Sequence, residues 1–114
     1  MTMADSINFM HFLSTKAQQH KLAIGLKNSA AVISSVLPGV QFSVQEQCIQ
    51  FSECGSYAPF INDKKPVFHI EYPSEVKPDF VTNFCKDSGP GTGSQGFSTV
   101  IKNYNLDGYV KYCR

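Results

Sequence analysis

Hydrophobic and polar positions follow one another in blocks that predict helices and strands in turn. Residues 3–20 carry an apolar stripe at helical spacing, and Thr2 with Asp5 predicts a capping box at the start of this helix. The residues that define the stripe are Ile7, Met10, Leu13 and Ala17. The first 20 residues therefore predict one amphipathic helix.

Four short apolar runs predict strands, and helical or turn segments separate them. The predicted strands are 22–26, 40–45, 67–72 and 97–101. The predicted intervening segments are a helix over 30–37 capped by Ser29, a short helix or turn within 55–63, and a helix over 78–85 that Pro78 opens. Strands that alternate with helices indicate an α/β fold with a parallel sheet. The first and last strands would be its open edges.

Polar side chains stand where each predicted strand ends. They are Lys27 and Asn28, Glu46 and Gln47, Glu71 and Tyr72, and Lys102 with Asn103. Ligands of parallel α/β folds bind at the carboxyl ends of the strands, and glycoside hydrolysis requires paired carboxylates such as Glu46 and Glu71. The alternative is that these residues only mark strand exits into water. For Lys102 alone, we favour that alternative.

Two further features carry less weight. His69 lies within a predicted strand between two apolar residues, which favours a packed core histidine over a metal ligand, although its side chain should face the same way as Glu71. Residues 91–96 match G-x-G-x-x-G, but a dinucleotide site needs a strand before the motif and a helix after it. The predicted order is the reverse, so we interpret 91–96 as a flexible surface loop.

Composition narrows the class of protein. The chain has 114 residues, 42% hydrophobic, with a formal net charge of +1. This length and apolar fraction predict a single folded domain over 1–114 and exclude an intrinsically disordered chain. The near-zero charge argues against a nucleic-acid partner. No apolar stretch reaches the length of a membrane span, and no signal peptide is visible after Met1.

Four cysteines allow three disulfide pairings. We favour Cys48–Cys54 and Cys85–Cys113, since each closes a loop inside one structural unit. Zinc is the competing interpretation, but the spacings are not C-x2-C and no histidine stands at ligand spacing near either pair. No other metal or cofactor is expected. Disulfides would indicate an oxidising compartment, although the chain shows no export signal.

The chain resembles glycoside hydrolase family 114, the endo-α-1,4-polygalactosaminidase-like or α-galactosidase-like proteins. The matching stretches run in order through nearly the whole chain, and the segment around Glu46 with its two cysteines is the most specific. They are 25–28, 46–48, 53–54, 59–61, 65–72, 84–85, 96–102 and 106–107. The resemblance implies the C-terminal half of a (β/α)8 barrel, with about four parallel strands and their helices.

The resemblance also implies roles for individual residues. Glu46 matches the family's catalytic glutamate, a general acid that protonates the leaving oxygen and then activates water. Lys27, Asn28, Gln47, Glu71 and Tyr72 would bind the polysaccharide substrate, with Glu71 also placed to raise the pKa of Glu46. The Cys48–Cys54 bridge would rigidify the loop after Glu46. We expect the family's aspartate to be missing, because it follows the fourth barrel strand and Asp5 does not match its motif.

Three hypotheses follow. The chain is a half-barrel glycosidase fragment of a secreted or cell-surface family, an inactive carbohydrate-binding remnant, or a small α/β domain with an unrelated role. A complete barrel needs about 250 residues. We therefore expect the partner of this half-barrel to be a missing N-terminal half or another copy of the chain.

Overall fold

The protein was analysed as a computed structural model, which describes residues 1–75 and 84–113. The helix predicted over 78–85 falls mainly outside the described residues. Within the described part, no helix is long and apolar enough to span a membrane.

A five-stranded sheet forms the centre of the fold. Its strands are β1 (Gly25–Lys27), β2 (Phe42–Glu46), β3 (Val67–Glu71), β4 (Ser98–Lys102) and β5 (Val110–Tyr112), and they lie side by side in that order. The first four are parallel, as predicted, and β5 is antiparallel to β4. The carboxyl ends of β1 to β4 therefore share one edge of the sheet.

Among the described residues, three helices accompany the sheet: α1 (Met3–Gln19), α2 (Ile33–Val36) and α3 (Ala58–Asn62). The predicted capping box is confirmed, because Thr2 Oγ1 accepts from the Asp5 N–H and Asp5 accepts from the Thr2 N–H. These hydrogen bonds lower the pKa of Asp5. Pro59 lies in the first turn of α3, where a proline leaves no needed N–H unpaired.

The two faces of the sheet differ because side chains alternate along each strand. One face carries Leu26, Ser43, Gln45, Val67, His69, Glu71, Thr99 and Ile101, all of which are buried. The other face carries Lys27, Glu46, Phe42, Phe68, Ile70 and Val100, which are half-buried or exposed. We call the first the covered face and the second the open face.

The covered face packs against the helices. Leu26 and Val67 join side chains from α2, α3 and the adjoining turns in one core cluster, and Ile7 and Met10 of α1 pack against it. The other members are Val32, Ile33, Val36, Val40, Tyr57 and Phe60. Burying an aliphatic or aromatic side chain of this kind stabilises a fold by about 1.5–3 kcal/mol. This cluster therefore holds the helices to β1 and β3.

A second cluster lies under the loop that follows β2. It contains Cys48, Ile49, Cys54, Phe84 and Ile101, all buried. Gly93 packs on this loop: a Cβ at that position would come within 2.6 Å of the Gly55 Cα, and its φ is +94°. The 91–96 segment lies largely at the surface, as predicted, with Thr92, Gln95 and Gly96 exposed, and Gly93 packs against the disulfide loop.

Several local predictions were wrong. The first strand begins at Gly25 instead of residue 22, since Leu22 is exposed and the Ile24 N–H donates to the side chain of Gln41. Ser29 has a left-handed backbone (φ 59°) and makes no capping hydrogen bond within the described residues. The helix predicted over 30–37 is consequently divided into a 3-10 turn, the short α2 and a second 3-10 turn.

One of the two predicted edge strands is confirmed and the other is wrong. β1 is an edge strand, as expected, but the strand after Phe97 is not, because β5 pairs with it. The residues of β5 are all exposed and give no alternating pattern.

Candidate functional site

Three polar side chains meet at the carboxyl ends of β1, β2 and β3 on the open face. Lys27 ends β1, Glu46 ends β2 and Tyr72 directly follows β3. Lys27 pairs with Val44 and Glu46 pairs with Ile70, so the first two residues belong to neighbouring strands on the same side of the sheet. We call Lys27, Glu46 and Tyr72 the strand-end cluster.

Glu46 is held by an ion pair. Its Oε1 lies 3.0 Å from the Lys27 Nζ, and the two side chains are 32% and 50% exposed. A carboxylate at this depth can reach solvent and a ligand, while its partner cation orients it. An incoming substrate must share or displace the Lys27 ammonium.

Tyr72 lies behind the carboxylate. Its phenol is buried; burial first, and then the negative charge of Glu46, raise the pKa of Tyr72 above its ordinary value. The ring packs edge to face with that of Tyr104, with centroids 5.3 Å apart. Tyr104 is 58% exposed and extends the cluster outwards as an aromatic surface.

Asn28 and Gln47 support the backbone of the cluster. Both have a left-handed backbone, with φ of 54° and 66°. The Asn28 Oδ1 accepts from the Glu46 N–H at 3.1 Å, and the Gln47 N–H donates to the Ile70 carbonyl at 2.9 Å. The Gln47 side chain donates to Gln50. Asn28 therefore fixes Glu46 directly, and the Gln47 amide fixes it from the following residue.

Glu71 does not join the cluster. Alternation along β3 turns its side chain to the covered face, where it is 0% exposed and accepts from the Ile49 N–H at 2.6 Å. This geometry contradicts the expected position of Glu71 beside Glu46, because Glu46 is paired in register with Ile70. Only one of the two predicted carboxylates reaches the open face.

The cysteines form the two favoured disulfides, Cys48–Cys54 and Cys85–Cys113. His69 lies close to the first pair, and the three donor atoms of Cys48, Cys54 and His69 fall within 4.8 Å of one another. Zinc binds thiolate sulfur, and both sulfurs of this pair are bonded to each other. The disulfide therefore takes up the only described group of donors that resembles a metal site.

Two further residues complete the survey of this edge. The Lys102 Nζ donates to the Asp107 carbonyl at 2.6 Å, which ties the end of β4 to the following loop and agrees with a structural role. Tyr104 was missed by sequence reasoning. It lies two residues after the end of β4. A search for side chains up to two residues beyond each predicted strand would have found it.

A separate hollow of about 560 Å³ lies against β3, β4 and β5. It is lined by residues such as Phe68, Ile70, Val100 and Tyr112, and Glu46 is not among its lining residues. The strand-end cluster lies outside this hollow, and its Glu46 and Lys27 side chains are 32% and 50% exposed.

Parallel strands that gather polar residues at their carboxyl ends define this chain as part of a (β/α)8 barrel, as predicted. The family comparison agrees: the sequence model of glycoside hydrolase family 114 matches residues 1–114. The chain belongs to that family.

A solved structure gives the same result. The crystal structure of Aspergillus fumigatus Ega3 in complex with galactosamine matches with a TM-score of 0.84 and 44% sequence identity. The match covers 99% of this chain and 47% of that chain, so the protein described here spans about half the length of this relative. A search of curated proteins finds no match.

Proposed function

We propose that this chain supplies the acid/base half of the cleft of a glycoside hydrolase that acts on α-linked galactosamine or galactose polymers. The observation that carries the proposal is the position of Glu46, a partly exposed carboxylate at the end of a central parallel strand on the open face. Membership of family 114 and the galactosamine bound to Ega3 support it.

In this proposal Glu46 protonates the glycosidic oxygen as the bond breaks and then accepts a proton from the attacking water. The second carboxylate of the mechanism comes from the part of the barrel beyond this chain, since the family's aspartate follows an earlier strand. A spacing of about 5 Å between the carboxyl groups would give retention, and about 6.5–9.5 Å would give inversion.

Lys27, Asn28, Gln47 and Tyr72 form the proposed sugar-binding surface around Glu46. Lys27 has three donors, so its ammonium can keep the ion pair with Glu46 and still bind a sugar hydroxyl. A deacetylated galactosamine unit carries its own ammonium group, which Glu46 can attract. We leave Glu71 out of this surface, because its carboxylate is buried on the covered face.

Incubation of an α-1,4-linked galactosamine polymer with this chain joined to an N-terminal half-barrel that carries the second carboxylate tests the proposal. We expect shorter oligosaccharides from this completed barrel and at least a hundredfold slower release when it carries E46Q, which keeps the shape and removes the proton. D63N is the matched control, since Asp63 lies before β3 at the opposite edge of the sheet. Equal hydrolysis by E46Q and the wild type would remove Glu46 from the mechanism.

A second candidate function is carbohydrate binding without cleavage. The observation that favours it is the 47% coverage of Ega3, because half of a barrel holds half of a cleft. Binding of the polymer with no shorter products would support this alternative over hydrolysis. If the chain neither binds nor cleaves the polymer, only the third hypothesis remains, which is an unrelated role for the domain.

We further propose that the half-barrel works extracellularly and is completed by an N-terminal half or by a second copy. Two disulfides fit an oxidising compartment. The edge strand β1 lies next to α1, on which Phe9 and Phe12 are each 56% exposed. Sedimentation of the purified chain tests self-association: a monomer at micromolar concentration would leave a separate N-terminal half as the partner.

A further inference from the structure

Three polar side chains are buried together on the face of the sheet opposite the strand-end cluster. His69 and Glu71 of β3 are 0% exposed and Thr99 of β4 is 7% exposed. All three lie on the covered face, and none of them belongs to the proposed sugar-binding surface. A buried charge is costly unless it is hydrogen-bonded, so these contacts need an explanation.

The contacts form a continuous hydrogen-bond network from β4 through β3 to the loop after β2. The Thr99 Oγ1 lies 2.9 Å from the His69 Nδ1, and the His69 Nε2 lies 2.8 Å from the Glu71 Oε1. The same Oε1 accepts from the Ile49 N–H at 2.6 Å. The Ile49 N–H is the donor to this oxygen, and a His69 tautomer with its proton on Nε2 would donate to it as well.

Ile49 connects this network to Glu46. Ile49 follows Glu46 by three residues, and the intervening Gln47 N–H is bonded to the Ile70 carbonyl at 2.9 Å. The Cys48 Sγ, part of the disulfide, lies 3.2 Å from the His69 Nε2. The segment immediately after Glu46 is therefore tied to β3 at successive residues.

We propose that Glu71 is a positioning residue: its buried carboxylate fixes the Ile49 amide, and through residues 47–49 it sets the position of Glu46 on the open face. His69 and Thr99 orient the Glu71 carboxylate. The inference rests on the proposed function, because positioning Glu46 serves hydrolysis. The effect of Glu71 on the position of Glu46 can still be measured without hydrolysis. It gives Glu71 a role on the opposite face from the substrate.

Two variants separate positioning from charge. E71Q removes the charge but keeps an oxygen that can accept from the Ile49 N–H, whereas E71A removes both. Burial is the largest cause of the raised Tyr72 pKa and the charge of Glu46 comes next, so this pKa responds to the position of Glu46, with a smaller contribution from the charge of Glu71. Both variants lose that smaller contribution, so a difference between them reports Glu46 alone.

The experiment measures the Tyr72 pKa by NMR and the hydrogen exchange of the Ile49 amide in the wild type, E71Q and E71A. V36A is the control for general destabilisation, since Val36 lies in the first core cluster, away from this loop. We expect E71Q to keep a raised Tyr72 pKa. In E71A the Tyr72 pKa should fall below its value in E71Q, because burial still raises it and only the contribution of Glu46 is reduced. Ile49 should exchange about tenfold to a hundredfold faster than in V36A.

Other outcomes would overturn the inference. Equal Tyr72 pKa values in E71Q and E71A would show that Glu46 is placed without Glu71, even if Ile49 exchanged faster. Uniformly faster exchange in E71A, matching V36A, would show a role in stability alone. If E71A does not fold, T99V replaces it, and we expect the same two changes to a smaller degree. An unchanged Tyr72 pKa and an unchanged Ile49 exchange rate in T99V would overturn the inference.

Hydrolysis is measured separately on the same samples. Where the wild type releases oligosaccharides, E71A should lower kcat by up to about a hundredfold with little change in KM, as expected for a misplaced catalytic group, and E71Q should restore most of it. An unchanged kcat in E71A would contradict positioning. Absence of hydrolysis in the barrel completed by an N-terminal half would count against the proposed function, while the Tyr72 and Ile49 measurements would still decide the inference.

Discussion

The open and covered faces of the sheet carry similar polar residues in opposite settings. On the covered face, Glu71 is fully buried and takes all its recorded contacts from within the protein. On the open face, Glu46 is partly exposed and meets a flexible, half-exposed lysine. The first carboxylate is therefore suited to holding the fold in place, and the second is suited to meeting a ligand.

The comparison shows that position in sequence alone does not assign a role to a strand-end carboxylate. Glu46 and Glu71 each end a parallel strand, but alternation sends them to opposite sides. Substitutions on the covered face should chiefly change stability, and substitutions on the open face should chiefly change binding. The following predictions test this division.

The largest effect is expected in the core that packs against the covered face, where Phe60 of α3 lies. Phe60 is 0% exposed within the first core cluster, so F60A should lower the free energy of unfolding by about 3–5 kcal/mol. F68A is the matched change on the open face, where Phe68 is 44% exposed, and it should cost clearly less. Urea denaturation measures both, and equal losses would contradict the distinction between the faces.

A pH-dependent loss of stability is expected next. Burial, followed by the charge of Glu53, raises the pKa of Tyr57 to about 12. Because the folded-state pKa lies above the unfolded value of about 10, this stabilisation is complete below pH 10 and is lost as the pH rises towards 12. The total is about 3 kcal/mol at most. Y57F should flatten this slope in urea titrations at pH 9–12, and an unchanged slope would contradict it.

Removal of the disulfide behind Glu46 should have an intermediate effect. Cys48 and Cys54 are six residues apart, and replacing both by serine should destabilise the chain by about 2 kcal/mol. Because the loop also follows Glu46, polymer binding by the folded fraction should weaken as well. Calorimetry and a binding titration measure the two effects, and unaltered binding would separate the loop from the site.

The smallest change in stability is expected at Lys27. Its ion pair with Glu46 is half-exposed, so K27M should change the free energy of unfolding by less than about 1 kcal/mol. Affinity for the polymer should fall about fivefold, since a sugar hydroxyl loses its donor. A K65M control removes an ion pair with Asp63 at the far edge and should leave affinity unchanged.

Much of the architecture could be predicted from the chain. The alternation of apolar runs with helical segments indicated four parallel strands, and Lys27 and Glu46 were placed correctly at their ends. The pattern could not show that Glu71 faces away from Glu46. Both residues end predicted strands, and only the pairing of Glu46 with Ile70 shows that Glu71 lies on the opposite side of the sheet.

Other features depended on tertiary contacts. β5 is short and wholly exposed, so it forms through its hydrogen bonds with β4 and not through its own pattern. Ser29 has the residue type of a helix cap, but its left-handed backbone serves the turn after β1. In both places the surroundings override the local preference of the chain.

NMR titration of the labelled protein with a galactosamine oligosaccharide tests the central claim most directly. We predict chemical-shift changes at Lys27, Glu46, Tyr72 and Tyr104, with their counterparts on the covered face, such as Gln45 and Thr99, much less affected. Changes centred on the covered face, or no change at Glu46 at saturating oligosaccharide, would contradict the assignment of the open face as the sugar-binding side.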